Sequence, residues 1–146
     1  MRKTGFSLIE LLVAIAIIGI LAGVAYPSYV DSVKKSHRAD AQGGLMDFAA
    51  AMARYQSQNL TYVGAAPTVP GTPAPATFAA QIPVHSNKKT YNLTIQAVTA
   101  STYTLRATPI SGGPQDGDGY LELSSDGKRG WDKDNNGSIS SAEKTW

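Results

Sequence analysis

The stretch FSLIELLVAIAIIGILAGVAYP, residues Phe6–Pro27, decides the fold. Between Phe6 and Tyr26 it is apolar except for one charged side chain, Glu10. Read as helix, these residues span about 31 Å at about 1.5 Å per residue. That matches the roughly 30 Å hydrocarbon core of a bilayer, and Gly19 and Gly23 are tolerated in such helices. A secretory signal would end at a small-x-small cleavage site, and Val24-Ala25-Tyr26-Pro27 is a poor one, because Pro27 would follow the cut. A core helix in a chain of 146 residues rarely needs so long an unbroken apolar run. The segment therefore reads as a membrane span. Its orientation is not fixed by charge: Arg2 and Lys3 precede it, while Lys34, Lys35 and Arg38 follow, partly offset by Asp31 and Asp40.

Glu10 conflicts with that environment. A carboxylate near the end of a membrane helix costs on the order of 2–3 kcal/mol on insertion scales. Snorkelling is one reading, but Glu is short and four residues of helix lie above it. A cation from another chain is the other. Up to Tyr26, Arg2, Lys3 and the amino terminus are the only cations of the chain itself.

Gly5-Phe6-Ser7-Leu8-Ile9-Glu10 after a short basic leader, continuing through Gly19 to Pro27-Ser28-Tyr29, resembles the class III signal of type IV prepilins. The resemblance implies an α+β pilin fold: a long N-terminal helix, its hydrophobic half protruding, packed on an antiparallel β-meander. It implies a prepilin peptidase that cuts between Gly5 and Phe6 and N-methylates Phe6. The domains would then be a leader (1–5), a transmembrane and filament-core helix (6–28) and a globular domain (29–146). Glu10 would pair with the amino group of a neighbouring subunit, which removes two buried-charge penalties at once. The implied protein is a structural subunit of a type IV pilus, major or minor, a helical homo-oligomer with other pilins. It would sit in the inner membrane as a precursor and then in the extracellular pilus. The alternative is a pseudopilin of a type II secretion system, which shares the leader and helix.

The remainder suits this frame. From Ser28 a more polar helix runs to about Gln58, and Leu45, Phe48, Met52 and Tyr55 make one apolar stripe for a sheet. Pro27 should kink the helix, and Gly43-Gly44 is a weak point within it. Residues 64–83, GAAPTVPGTPAPATFAAQIP, form a proline-rich loop whose small, uncharged residues suggest packing against a neighbour. Three strand-like runs follow: Tyr91/Leu93/Ile95, then Tyr103/Leu105/Ala107 after a turn at 100–102, then Gly119–Leu123, closing at Ser125-Asp126-Gly127.

A second motif lies near the C-terminus. Asp132, Asp134, Asn136, Gly137 and Glu143 match D-x-[DN]-x-[DN]-G-x5-E at every specified position. Positions 1, 3 and 5 aim oxygens inward, and Gly at 6 permits the sharp turn. The carbonyl of Ser138 and a group or water at Ser140 complete the equator, and Glu143 closes the site bidentately. The expected cofactor is Ca2+, with Ile139 tucked into the core. Lys128-Arg129-Gly130-Trp131 does not resemble an entering helix, so no conformational sensor is expected. Asp116 and Asp118 could supplement the site. The chain has no cysteine, and many pilins close this region with a disulfide. A site with a Kd of about 10 μM in about 1 mM calcium would add roughly 2.7 kcal/mol, comparable to the 2–4 kcal/mol typical of a disulfide.

Composition excludes several classes. The formal charge of +2 includes Arg2 and Lys3; without the leader, 11 Lys+Arg would face 11 Asp+Glu. A neutral chain offers no net basic field for nucleic acid, but a local basic patch could still exist, so nucleic acid stays open as a partner. The absence of cysteine rules out thiolate nucleophiles. His37 and His85 stand alone, and no Ser/His/Asp arrangement, phosphate loop or carboxylate pair suggests an enzyme.

Overall fold

In the computed structural model, which describes residues 7–146, one helix, α1, runs Leu8–Asn59 and five strands follow. The strands are β1 Gln81–Ile82, β2 Tyr91–Val98, β3 Tyr103–Pro109, β4 Leu121–Ser124 and β5 Arg129–Trp131. The chain divides into two units between Lys35 and Ser36.

The described part of the first unit is helical from Leu8. Its apolar side chains from Leu8 to Val24 are about half exposed or more, and the helix is long and apolar enough to cross a membrane. α1 continues through Pro27, whose missing N–H leaves the Gly23 carbonyl without its usual partner.

In the second unit the five strands form an antiparallel sheet in sequence order. The expected alternation holds. Tyr91, Leu93 and Ile95 of β2, Tyr103, Leu105 and Ala107 of β3, and Leu121 and Leu123 of β4 are buried on one face. Ala41, Leu45, Phe48 and Met52 of α1 join them in a single core. On the other face Arg106 pairs with Glu122 across the β3–β4 register at 2.7 Å. The third expected strand starts at Leu121 rather than Gly119, because Gly119 at φ +73 leaves the extended region.

The proline-rich loop is partly core, packing inside its own domain. Ala65 and Ala66 are buried, and Phe78 stacks on Phe48 with ring centres 5.1 Å apart. Gly71 exchanges two main-chain hydrogen bonds with Ile95, continuing the β1 edge. β1 lies at the end of this loop, on the edge where proline neighbours are tolerated.

The helix runs unbroken through Gly43-Gly44, and the two glycines differ in what they do. A Cβ at Gly44 would lie 2.9 Å from two carbons of Ile82, so the missing side chain is what lets β1 approach α1. A Cβ at Gly43 would meet nothing within 4 Å. Gly43→Ala should therefore raise domain stability by about 0.5–1 kcal/mol through helix propensity. Gly44→Val should lower it by about 1–3 kcal/mol through overpacking. Paired urea melts check both signs.

Candidate functional site

Two sets of residues carry candidate chemistry, one in each unit. In the first, Ser7 precedes the first helical residue and its N–H donates to Glu10 Oε2 at 2.9 Å. Ser7-Leu8-Ile9-Glu10 is the S-x-x-E spacing of a capping box, and a negative group in the first turn also complements the helix dipole. Hydropathy alone does not carry this signal. Glu10 is therefore held over the helix start by a neutral donor, with its charge exposed. Gly5 and Phe6, the expected cleavage and methylation residues, lie outside the described residues.

The second set is the loop at 132–143. β5 leads into it and a 3-10 turn, Ser141–Glu143, closes it, so no helix pair brackets it. One oxygen each from Asp132, Asp134 and Glu143 fall within 4.8 Å of one another. Main-chain amides inside the loop set these carboxylates. Asn136 N–H donates to Asp132 Oδ1 and Gly137 N–H to Asp132 Oδ2, each at 3.0 Å. Lys133 N–H donates to Glu143 Oε1 at 2.8 Å, and the Ser140 N–H and hydroxyl donate to Glu143 Oε2 at 3.0 and 2.8 Å. The Ser140 amide and hydroxyl hold the Glu143 carboxyl below its ordinary range. Asn136 Nδ2 donates to Asp134 Oδ2, and the Ser138 hydroxyl donates to Asn136 Oδ1, both at 2.7 Å.

Asp132 is fully buried, whereas Asp134 is exposed. The Arg38–Asp118, Arg106–Glu122 and Lys128–Asp126 ion pairs engage none of the three carboxylates. An all-oxygen set with a buried first acid, a third-position acid and a twelfth-position Glu suits a hard divalent cation. Gly137 takes φ +86, the left-handed turn expected at loop position 6. Ile139 sits half-buried over Gly130, where a Cβ would come within 2.7 Å of its Cδ1. It thus caps the outer side of β5 rather than joining the central core.

Asp116 and Asp118 are committed elsewhere. Asp116 Oδ2 accepts the Gly112 N–H at 2.9 Å. Asp118 receives two bonds from Arg38, at 2.6 and 3.0 Å, eighty residues away in sequence. Gln115 Nε2 also donates to Asp118 Oδ2 and to the Tyr91 hydroxyl. Burial pushes the Tyr91 phenol up to about 12.

A family model described as "Type IV minor pilin ComP, DNA uptake sequence receptor" matches residues 27–119, and the prokaryotic N-terminal methylation motif matches residues 1–26. The type IV major alpha-pilin of Moraxella bovis is 54% identical over 43 residues, covering 30% of this chain and 27% of that protein. The narrow-pilus major component PilA5 of Thermus thermophilus is 40% identical over 62 residues, covering 41% of this chain and 53% of that protein. The chain thus covers about a quarter of the Moraxella protein and about half of the Thermus one. The non-core minor pilin PilV of Neisseria meningitidis shares the fold at a TM-score of 0.51 and 20% identity, over 75% of this chain and 96% of that one. The loop at 132–143 lies beyond the matched 27–119. With the methylation motif at its start and a minor-pilin match over most of the remainder, the chain belongs to the type IV pilin family.

Proposed function

We propose that this pilus subunit, minor-pilin-like in its match, polymerises through α1 and carries a calcium-stabilised C-terminal loop. The observation that carries the assembly reading is the exposed apolar surface of Leu8–Val24 with one carboxylate in its first turn. Within the chain that carboxylate meets an amide, which satisfies one oxygen and leaves the charge for a cation. A neighbour's methylated Phe6 amine would supply it, so only a correctly registered subunit lowers the cost. Prepilin peptidase processing at Gly5 and the inner-membrane precursor belong to the same reading. The reported relatives are pilus proteins, which favours a pilus over a secretion pseudopilus.

Glu10→Gln should cut recovery of the subunit in sheared pili by at least tenfold while membrane precursor levels stay normal. Normal incorporation would refute the charge-register reading.

The calcium reading is supported by the full motif match and by three carboxylate oxygens converging within 4.8 Å. Asp132, Asp134, Asn136, the Ser138 carbonyl, Ser140 and Glu143 would hold the ion. Chelation should lower the Tm of residues 29–146 by on the order of 10 °C, the equivalent of about 2.7 kcal/mol. Asp132→Ala should melt at one temperature with or without calcium. A wild-type melt insensitive to chelator would dispose of the calcium site.

A second reading, DNA binding, is favoured by the description of the family matched at 27–119. The β1–β2 connection inside that match presents exposed His85 and Lys88. Lys89 is tied to the Pro83 and Val84 carbonyls, which leaves Lys88 as the cation for phosphate. Lys88→Ala should weaken duplex binding in a gel shift and reduce its salt slope by about one. Absence of binding by the wild type at low salt would remove this reading.

A further inference from the structure

We infer that Arg38 is a positioning residue for the loop at 132–143, acting through Asp118 and Trp131; the inference rests on the calcium reading above. Arg38 grips Asp118 with both faces of its fork, Nη2 to Oδ1 at 2.6 Å and Nε to Oδ2 at 3.0 Å. The same guanidinium carbon lies 3.6 Å from the centre of the Trp131 ring. The indole N–H of Trp131 donates to the Asp118 carbonyl at 2.7 Å. Helix, turn and strand thus form a closed circuit of three residues, closed through the Asp118 main chain, and a planar guanidinium can pair and stack at once.

Trp131 is bonded directly to Asp132, the first acidic residue of the loop. Asp132 is fixed from the other side as well, since its N–H donates to the Tyr120 carbonyl at 3.0 Å. Gly119, at φ +73, lies so close against the Asp132 carbonyl that no Cβ fits there. Residues 118–120 therefore hold residues 131–132, and Arg38 holds Asp118. Tyr91 and Gln115 brace Asp118 from the core side.

Arg38 touches none of the loop oxygens. Its effect is to place Asp132 before an ion arrives, so that binding need not include the cost of ordering that residue. By linkage, an ion bound at the loop stabilises the Arg38–Asp118 contact by the same factor.

The test uses the full-length chain in detergent micelles, with calcium chloride titrated by calorimetry below the melting transition. Arg38→Met should weaken calcium binding about tenfold, with Arg38→Lys in between. Phe48→Leu, a destabilising change in the core, should leave the affinity within twofold of wild type. An Arg38→Met affinity within twofold of wild type, or an equal loss in Phe48→Leu, overturns the inference. Should Arg38→Met not fold, Trp131→Phe keeps an aromatic ring and removes the donor, and should weaken binding about threefold; an unchanged affinity overturns the inference.

A wild type that binds no calcium refutes the calcium reading alone. Positioning is then judged by amide hydrogen exchange in calcium-free protein. The amides of Asp132, Asn136 and Gly137 should exchange at least fivefold faster in Arg38→Met and not in Phe48→Leu. Equal rates in Arg38→Met and wild type overturn the positioning role.

Discussion

One 52-residue helix carries two apolar stretches that must be desolvated by different partners, and the structure depends on that division. Ala41, Leu45, Phe48 and Met52 lose their surface to the strands of the same chain. Leu8 to Val24 have no such cover. Apolar area removed from water contributes about 25 cal/mol per Å², so the first stretch stabilises the domain and the second favours whatever removes it from water. On the proposed reading a bilayer would do so before assembly and packed helices would do so in a filament. Both environments are apolar, and neither specifies register. On the proposed reading, Glu10 would supply what hydrophobicity lacks, a point at which one alignment differs from the next.

Much of this was legible in the sequence because it depends on local periodicity. Leu45, Phe48 and Met52 recur at the helical interval, and all three are fully buried. Tyr91/Leu93/Ile95 and Tyr103/Leu105/Ala107 alternate with polar residues, and these positions form the inner face of β2 and β3. The other features depend on tertiary proximity. β1 has two residues and β5 three, too few to show a period of two. Gly44 looks like a helix breaker until Ile82 is seen against it. Asp118 looks like a turn residue among glycines, and its partner is eighty residues upstream. Ser7 and Glu10 have the S-x-x-E spacing in sequence, but their capping contact shows only where the Ser7 N–H meets the Glu10 carboxylate.

The C-terminal loop shows the difference between a motif and its support. Its twelve-residue spacing is plain in sequence, and the carboxylates do converge. The loop amides hold the Asp132 carboxylate, but what holds its main chain is not in the motif: the Tyr120 carbonyl, the missing side chain of Gly119 and the indole of the preceding residue. A short acidic loop on the surface would ordinarily spread its charges apart. Here the loop is tied to the sheet at its first residue, and Ile139 and Trp146 close over β4 and β5 behind it. Gly130 makes room for Ile139, and the Trp146 indole N–H donates to the Glu122 carbonyl.

Cross-linking and ion binding reach the same end by different means. A disulfide joins two points of the chain and restricts the unfolded state. An ion held by six groups draws a whole loop together and acts only on the folded state, in proportion to its concentration. This chain has no cysteine, and its C-terminal segment lies outside the stretch shared with the minor-pilin family. The proposed ion would make this segment firm where calcium is plentiful and looser where it is scarce. In Asp132 and Trp131 that segment meets the contact made by Arg38 of α1. The proposed site would thus tie the tail of the domain to its helix through a single ion pair, leaving the core itself unchanged.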